Sequence, residues 1–248
     1  MGPGSQVQPI TAPVFYARPE AVGNALEVEP ALASWDKAGS PGQARSAAFI
    51  AGMRTVITGH LSATSDPLAL RLDIGLPRHV PLLSYHDLDN YLFPLVPKLA
   101  ASSGRQFASV WATKRHAPTS VVALSQAYAT RDPGGTYSFE VTTTAAAEST
   151  AFKEQIRDQI AVGRPLPDGG VALQLAFVVG PRRAWPNLWK ATIDSLGPIL
   201  GRDAGAGQWN VHDGRVTDLG LHCIVDPNAG NRVAIAIRAR TATPPTTE

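Results

Sequence analysis

Cysteine is almost absent: Cys223 stands alone in a chain of 248 residues. A single thiol excludes an intramolecular disulfide and any cysteine-based zinc site. Cys223 sits in an apolar run that reads as a strand, where a free thiol behaves as a small buried hydrophobe. Charge is also scarce. Asp, Glu, Lys and Arg make up 17% of the chain and the formal net charge is +2. Such mild basicity permits nucleic-acid binding but does not argue for it, since dedicated binders carry a clear basic excess. No apolar run approaches the roughly 18 residues of a membrane helix. The N-terminus lacks the basic and apolar regions of a signal peptide, so a cytoplasmic protein is the expectation. There is no glycine-rich phosphate loop, no Gly-x-Ser-x-Gly and no His-Glu-x-x-His, so none of those sequence signatures points to a reaction class.

What is present is enough apolar residue, 44% of the chain, to build a packed core. Met1-Gly2-Pro3-Gly4-Ser5 reads as a cloning remnant, and residues 1–40 form a Pro/Ala-rich segment. Within it Ile10–Tyr16 could add an edge strand and Leu32–Lys37 a turn of helix. Two segments of like order follow. In the first (41–128), Phe49, Ile50, Met53, Val56 and Ile57 recur at helical spacing. The alternating run Leu68–Leu76 predicts a half-buried strand. A loop with Arg78 and His79 leads to His86-Asp87-Leu88-Asp89-Asn90 and the apolar run Tyr91–Leu99. Strands over Phe107–Lys114 and Ser120–Ala127 close the unit. Pro94 and Pro97 fall inside the apolar run, so the helix opened by Asp87 and Asp89 is expected to be short or bent.

The second segment (150–240) repeats the pattern. A helix over Thr150–Val162 precedes a strand over Val171–Val179. Then comes Arg182-Arg183-Ala184-Trp185-Pro186-Asn187-Leu188-Trp189-Lys190, opening a helix with Pro186 in its first turn. Gly197 and Pro198 end that helix. Val216–Val225 and Arg232–Arg238 are its strands. Residues 129–149, rich in Thr, Gly and Ala, read as a linker, and 241–248 as a tail. Internal duplication accounts for the order, and two copies of a unit that otherwise pairs with itself would make a single-chain pseudo-dimer.

Carboxylates two residues apart at a helix start, such as Asp87 and Asp89, can chelate a hard cation, because Mg²⁺ and Mn²⁺ take oxygen ligands. They can equally serve the helix itself, Asp89 as a cap and Asp87 as a complement to the dipole. With its surrounding elements, the run Asp87-Leu88-Asp89-Asn90 resembles the signature of the RusA-like Holliday junction resolvases. So does the second run Asn187-Leu188-Trp189-Lys190, followed by Trp209-Asn210-Val211-His212-Asp213-Gly214-Arg215-Val216. These are small metal-dependent endonucleases that work as homodimers. The resemblance covers about four fifths of the chain. It implies an α+β fold of two tandem helix-strand-helix-strand-strand units. It also implies three aspartates holding Mg²⁺ or Mn²⁺, with a lysine assisting at the phosphate. The first copy supplies Asp87 and Asp89 but has Phe93 in place of the lysine and Ser103 in place of the third acid. The second keeps Lys190 and Asp213 but has Ala184 and Pro186 where the paired acids belong. A whole site is therefore expected only as a composite of the two copies.

Branched or structured DNA is the partner this implies. Lys114, Arg115, Arg182, Arg183 and Arg215 are the candidate phosphate contacts, and Trp185 is a candidate for stacking on unpaired bases, although Trp185 and Trp189 at helical spacing also suit packing. His86 and His212 each precede a key acid and could extend a metal site. The competing reading is a non-catalytic scaffold or interaction protein on an inactivated resolvase fold, with a protein partner instead of DNA.

Overall fold

The computed structural model describes residues 10–20, 22–34, 36–37, 39–160 and 163–243. The cloning remnant, Trp35 and the last residues of the tail lie outside them. In chain order the elements are β1 (Phe15–Tyr16), β2 (Asn24–Ala25), α1 (Pro41–Ala63), β3 (Leu68–Leu76), α2 (Leu88–Ser103), β4 (Phe107–His116) and β5 (Val121–Gln126). There follow β6 (Ala129–Thr130), β7 (Tyr137–Thr143), α3 (Thr150–Arg157), β8 (Val171–Val179), α4 (Pro186–Asp194), α5 (Gly197–Leu200), β9 (Val216–Val225) and β10 (Val233–Thr241).

One mixed sheet of eight strands carries the architecture, in the order β2-β5-β3-β4-β9-β8-β10-β7. The order is palindromic in kind. β3 pairs parallel to β4, and β8 parallel to β9. Antiparallel β5 and β10 flank them on the outside. The halves meet at the antiparallel pair β4–β9. Trp111 and Gly220, each the fifth residue of its ten-residue strand, face each other there. A Cβ on Gly220 would come within 3.0 Å of the Trp111 ring, so the large residue on one strand requires the small one on the other. The parallel pairs arise because α2 and α4 supply the crossovers that parallel strands need.

The helices bury their apolar sides in a single core that spans both halves. It runs from Phe49, Met53 and Ile57 on α1 through Leu92 and Leu95 on α2 to Leu188 and Trp189 on α4. The N-terminal segment also packs against the sheet: Phe15 packs on Ala176 and Ala236, and Arg18 pairs with Asp73 and Asp218.

Three sequence expectations are corrected. The linker 129–149 carries β6 and β7, and β7 is the outer strand paired to β10. Its alternation of Tyr137, Phe139 and Val141 is the strand signal that the Thr-rich surroundings hid. Second, of the two outcomes expected for α2, short or bent, shortness is overturned: it runs sixteen residues through Pro94 and Pro97. Pro94 removes the donor that would meet the Asn90 carbonyl, and the backbone N–H of Ala33 supplies one instead, at 2.8 Å. Third, Leu32, Ala33 and Ser34 are not helical; Ala33 instead donates to the Asn90 carbonyl of α2. At the other end, α3 stops at Arg157, and the last two residues of its expected span are outside the described ones. Gly197 and Pro198 do not end α4, which stops at Asp194 with Ser195 as its C-cap; they open α5 instead.

Candidate composite charge cluster

Asp87 occupies the N-cap position of α2 in extended backbone, but its side chain caps no backbone N–H. Its Oδ2 instead accepts from Asn90 Nδ2 at 3.0 Å. Asp89, in the first helical turn, is 2% exposed, and its Oδ2 has no hydrogen-bond partner. Such a group carries a desolvation penalty that a neutral, protonated carboxyl lessens. Burial pushes its pKa up to about 7; Lys190 opposes the rise, while Asp213, Asp87 and Asp194 add to it. Burial also raises Asp87, with Asp213 adding to the rise.

The second half reaches the same place. Lys190 and Asp194 stand one helical turn apart on α4. Lys190 Nζ lies 3.1 Å from Asp194 Oδ1 and 2.5 Å from Asp213 Oδ2. Asp213 opens the 3₁₀ turn before β9. Lys153 of α3 holds the other oxygen of Asp194 at 2.7 Å. Burial opposes the charge of Lys190, but Asp89, Asp213 and Asp194 outweigh it and hold the ammonium well above its ordinary range. Asp89 of the first half thus acts on Lys190 of the second. A cavity of about 390 Å³ borders the cluster and is lined by Asp89, Asn90, Phe93, Asn187 and Lys190, among others. Asn90 and Asn187, and likewise Phe93 and Lys190, are matching positions of the repeated run.

Lys114 closes the floor. It lies on β4, is 3% exposed, and donates to the carbonyls of Tyr85 and His86 at 3.0 Å each and of Gly214 at 2.7 Å. Tyr85 and His86 both hold left-handed backbone, φ 61° and 52°, a conformation that costs a non-glycine residue on the order of 1 kcal/mol or more. The two carbonyls they present to one ammonium offset that cost. Burial depresses Lys114 to about 8, against the pull of Asp87, Asp213 and Asp89. Asp194 and Asp213 thus pair with Lys153 and Lys190, while Asp89 and Lys114 are the buried acid and the buried amine of the same cluster.

The remaining candidates fare differently. Lys114 is buried and fully engaged, so it presents no phosphate contact. Arg215 is 8% exposed, and its guanidinium donates to the carbonyls of Gly169, Leu166, Leu200 and Pro167. Trp185 is 7% exposed and packs edge-on against Trp189 at 4.7 Å, so it does not present a stacking face. Arg183 is tied to the carbonyls of Thr144, Ala145 and Asn231. Arg115 and Arg182 are exposed. They lie at opposite ends of the sheet: Arg115 near the cluster, Arg182 after the far end of β8, in a cleft of about 950 Å³ shared with Arg105. His86 bonds Tyr91 at 2.6 Å and His212 bonds Asp203 at 3.0 Å, so neither imidazole turns to the acids. Lys153 and Asp194 were missed from sequence; Asp194 was legible only as the i+4 partner of Lys190.

The donor set does not fit a divalent cation as it stands. Mg²⁺ asks for near-octahedral oxygen ligation at about 2.0–2.1 Å, but Asp213 and Asp194 already hold an ammonium and Asp87 holds Asn90. Among the described residues no group of three or more His, Cys, Asp or Glu side chains is placed to hold a metal ion. Among them, too, no helix is long and apolar enough to cross a membrane. Scanned against protein-family models the chain finds no match, and no curated protein matches it either.

Proposed function

We propose that the protein binds branched or structured DNA, as a duplicated, single-chain form of a RusA-like homodimer, at the end of the sheet that carries the composite charge cluster. One observation carries the reading: acids from the first half and the lysine and acid from the second form one electrostatically coupled group, as the complementary losses in the two copies require. The palindromic strand order supports the duplication. So does a smaller symmetry. Arg105, just ahead of β4, ties back to Asp66 ahead of β3, and Arg215, just ahead of β9, ties back to Gly169 ahead of β8.

In this reading Arg115, at the same end of the sheet but on the opposite face of β4 from Lys114, contributes a phosphate contact, and the enzyme activity of the ancestor is lost because Lys190 is paired with the acids a metal would need. A gel shift of a synthetic four-way junction against linear duplex of the same sequence tests it. The junction should bind more tightly, the affinity should fall with salt, and Arg115→Ala should lower the salt slope by about one unit. Equal binding to both DNAs sinks the proposal. Cleavage in Mg²⁺ or Mn²⁺ that Asp87→Asn or Asp89→Asn abolishes would restore an active endonuclease.

A second reading is a non-catalytic interaction module with a protein partner. It is favoured by the burial of Lys114, Arg215 and Trp185, which removes three of the expected DNA contacts from the surface. It predicts no junction preference and no salt dependence.

A further inference from the structure

We infer that a pocket on the helix-free face of the sheet, at the end that carries the cluster, seats the phosphate backbone of a DNA strand between Arg115 of β4 and Arg240 of β10. This rests on the DNA reading and adds to it the face of the sheet that the strand follows.

One cross-strand row builds the floor of the pocket. Asp73 of β3 pairs with Thr113 of β4, and Thr113 with Asp218 of β9. Asp218 pairs in turn with Ala172 of β8, and Ala172 with Arg240 of β10. Residues paired in register share a face of the sheet. Thr113 and Arg115 point away from the face on which their neighbour Lys114 is buried, because side chains alternate along a strand. A pocket of about 380 Å³ opens on this row, lined by Arg18, Arg115 and Arg240 together with Asp73, Thr113 and Asp218.

The acids of the floor are already held from within the protein. Arg18, from the N-terminal segment, lies 2.5 Å from Asp73 and 3.6 Å from Asp218. Asp73 also accepts from the Thr113 hydroxyl at 2.7 Å. Burial raises the Asp218 carboxyl, and Arg18 and Arg240 both oppose the rise, so Arg240 acts over this floor from two strands away.

Arg115 and Arg240 are the cations left over. Both are exposed, and among the described residues neither has a hydrogen bond or an ion pair. With Arg18 and the buried Lys114 they make four cations against two carboxylates around the pocket, which suits an anionic partner. Three strand spacings of about 4.8 Å separate β4 from β10, so the two arginines start roughly 14 Å apart across the sheet. Cations that far apart suit successive phosphates of a chain better than one small anion, and phosphate contacts of this kind position a nucleic acid without reading its bases.

The test is a gel shift of the four-way junction over a series of salt concentrations. Arg240→Ala should weaken binding several-fold and lower the salt slope by about one unit, and Arg115→Ala with Arg240→Ala by about two. Asp218→Asn removes a negative charge beneath the strand and should tighten binding. Arg182→Ala, an exposed arginine at the far end of the sheet, should change neither affinity nor slope. Junction binding by the wild type that Arg240→Ala leaves unchanged overturns the inference while the DNA reading stands, and gives the pocket to another occupant such as an acidic protein segment. A loss with Arg182→Ala as large as with Arg240→Ala also overturns it. Failure of the wild type to prefer the junction overturns the DNA reading and the inference together. Should Arg240→Ala not fold, Asp218→Asn decides: tighter binding supports the inference, and unchanged or weaker binding counts against it.

Discussion

Two buried side chains give the protein a pH dependence of opposite signs. Asp89 titrates at about 7 in the fold, against an ordinary aspartate near 3.9 in the unfolded chain. The folded state therefore holds this proton more tightly. The stability it contributes is full below about pH 4 and is lost as pH rises through 7, by roughly 4 kcal/mol at most. Lys190, Asp213, Asp87 and Asp194 surround the group and set the size of the loss. His222 behaves in the reverse way. It is fully buried, and burial depresses its pKa to about 3, so stability falls as pH drops below about 6.5 and the unfolded imidazole gains its charge. Asp89→Asn keeps the shape and removes the titration. Melting temperatures taken from pH 4 to 8 should show the wild type nearly level up to about pH 6.5, where the two opposed slopes cancel, and the variant rising there on the His222 slope alone, with the larger gain at pH 8. An unchanged slope would remove Asp89 as its source.

At the scale of elements, the same residue type serves different ends along α1. Gly59 is exposed, and a Cβ there meets nothing within 4 Å. Gly52 faces the N-terminal segment, and its Cβ would come within 2.4 Å of a Val28 methyl. Gly59→Ala should stabilise the protein by roughly 0.5–1 kcal/mol through helix propensity. Gly52→Ala should gain nothing or lose stability, because the displaced Val28 offsets the propensity. Chemical denaturation of both variants separates the effects; equal gains would show that the segment does not pack on α1. Elements of this kind were legible where a period is local. β3, β8 and β9 fall on their expected spans because alternation marks a half-buried strand. α2 was not, because the partner of its Asn90 carbonyl lies 57 positions upstream at Ala33, outside any periodic window. β7 carried its signal in Tyr137, Phe139 and Val141, yet a Thr-rich composition resembles a linker as much as a solvent-facing edge.

For the whole molecule, the decisive fact is the pairing of β4 with β9. Asp87, Asp89, Lys190 and Asp213 were singled out from the sequence, but that both halves contribute to one end of the sheet depends on which strands pair at the centre, and no local pattern encodes that. The same pairing turned Lys114 inward: on β4 it shares the helix-covered face with Val110 and Ala112, while its neighbour Arg115 stays outside. The join is also where dependence of one half on the other can be measured. Expressed alone, residues 129–248 would expose the β9 edge from Asp218 to His222 that β4 covers in the full chain. An unpaired edge of this length is a template for association. Antiparallel self-pairing in the same register would set Gly220 against Gly220 in place of Trp111, so the half-chain should form a homodimer weaker than the joined protein, or aggregate. Light scattering behind size exclusion should show the dimer, and its melting temperature should rise with protein concentration, as linkage to assembly demands. A stable monomer that melts independently of concentration would mean that the second half is a self-sufficient domain, and the single-chain pseudo-dimer would have to be abandoned.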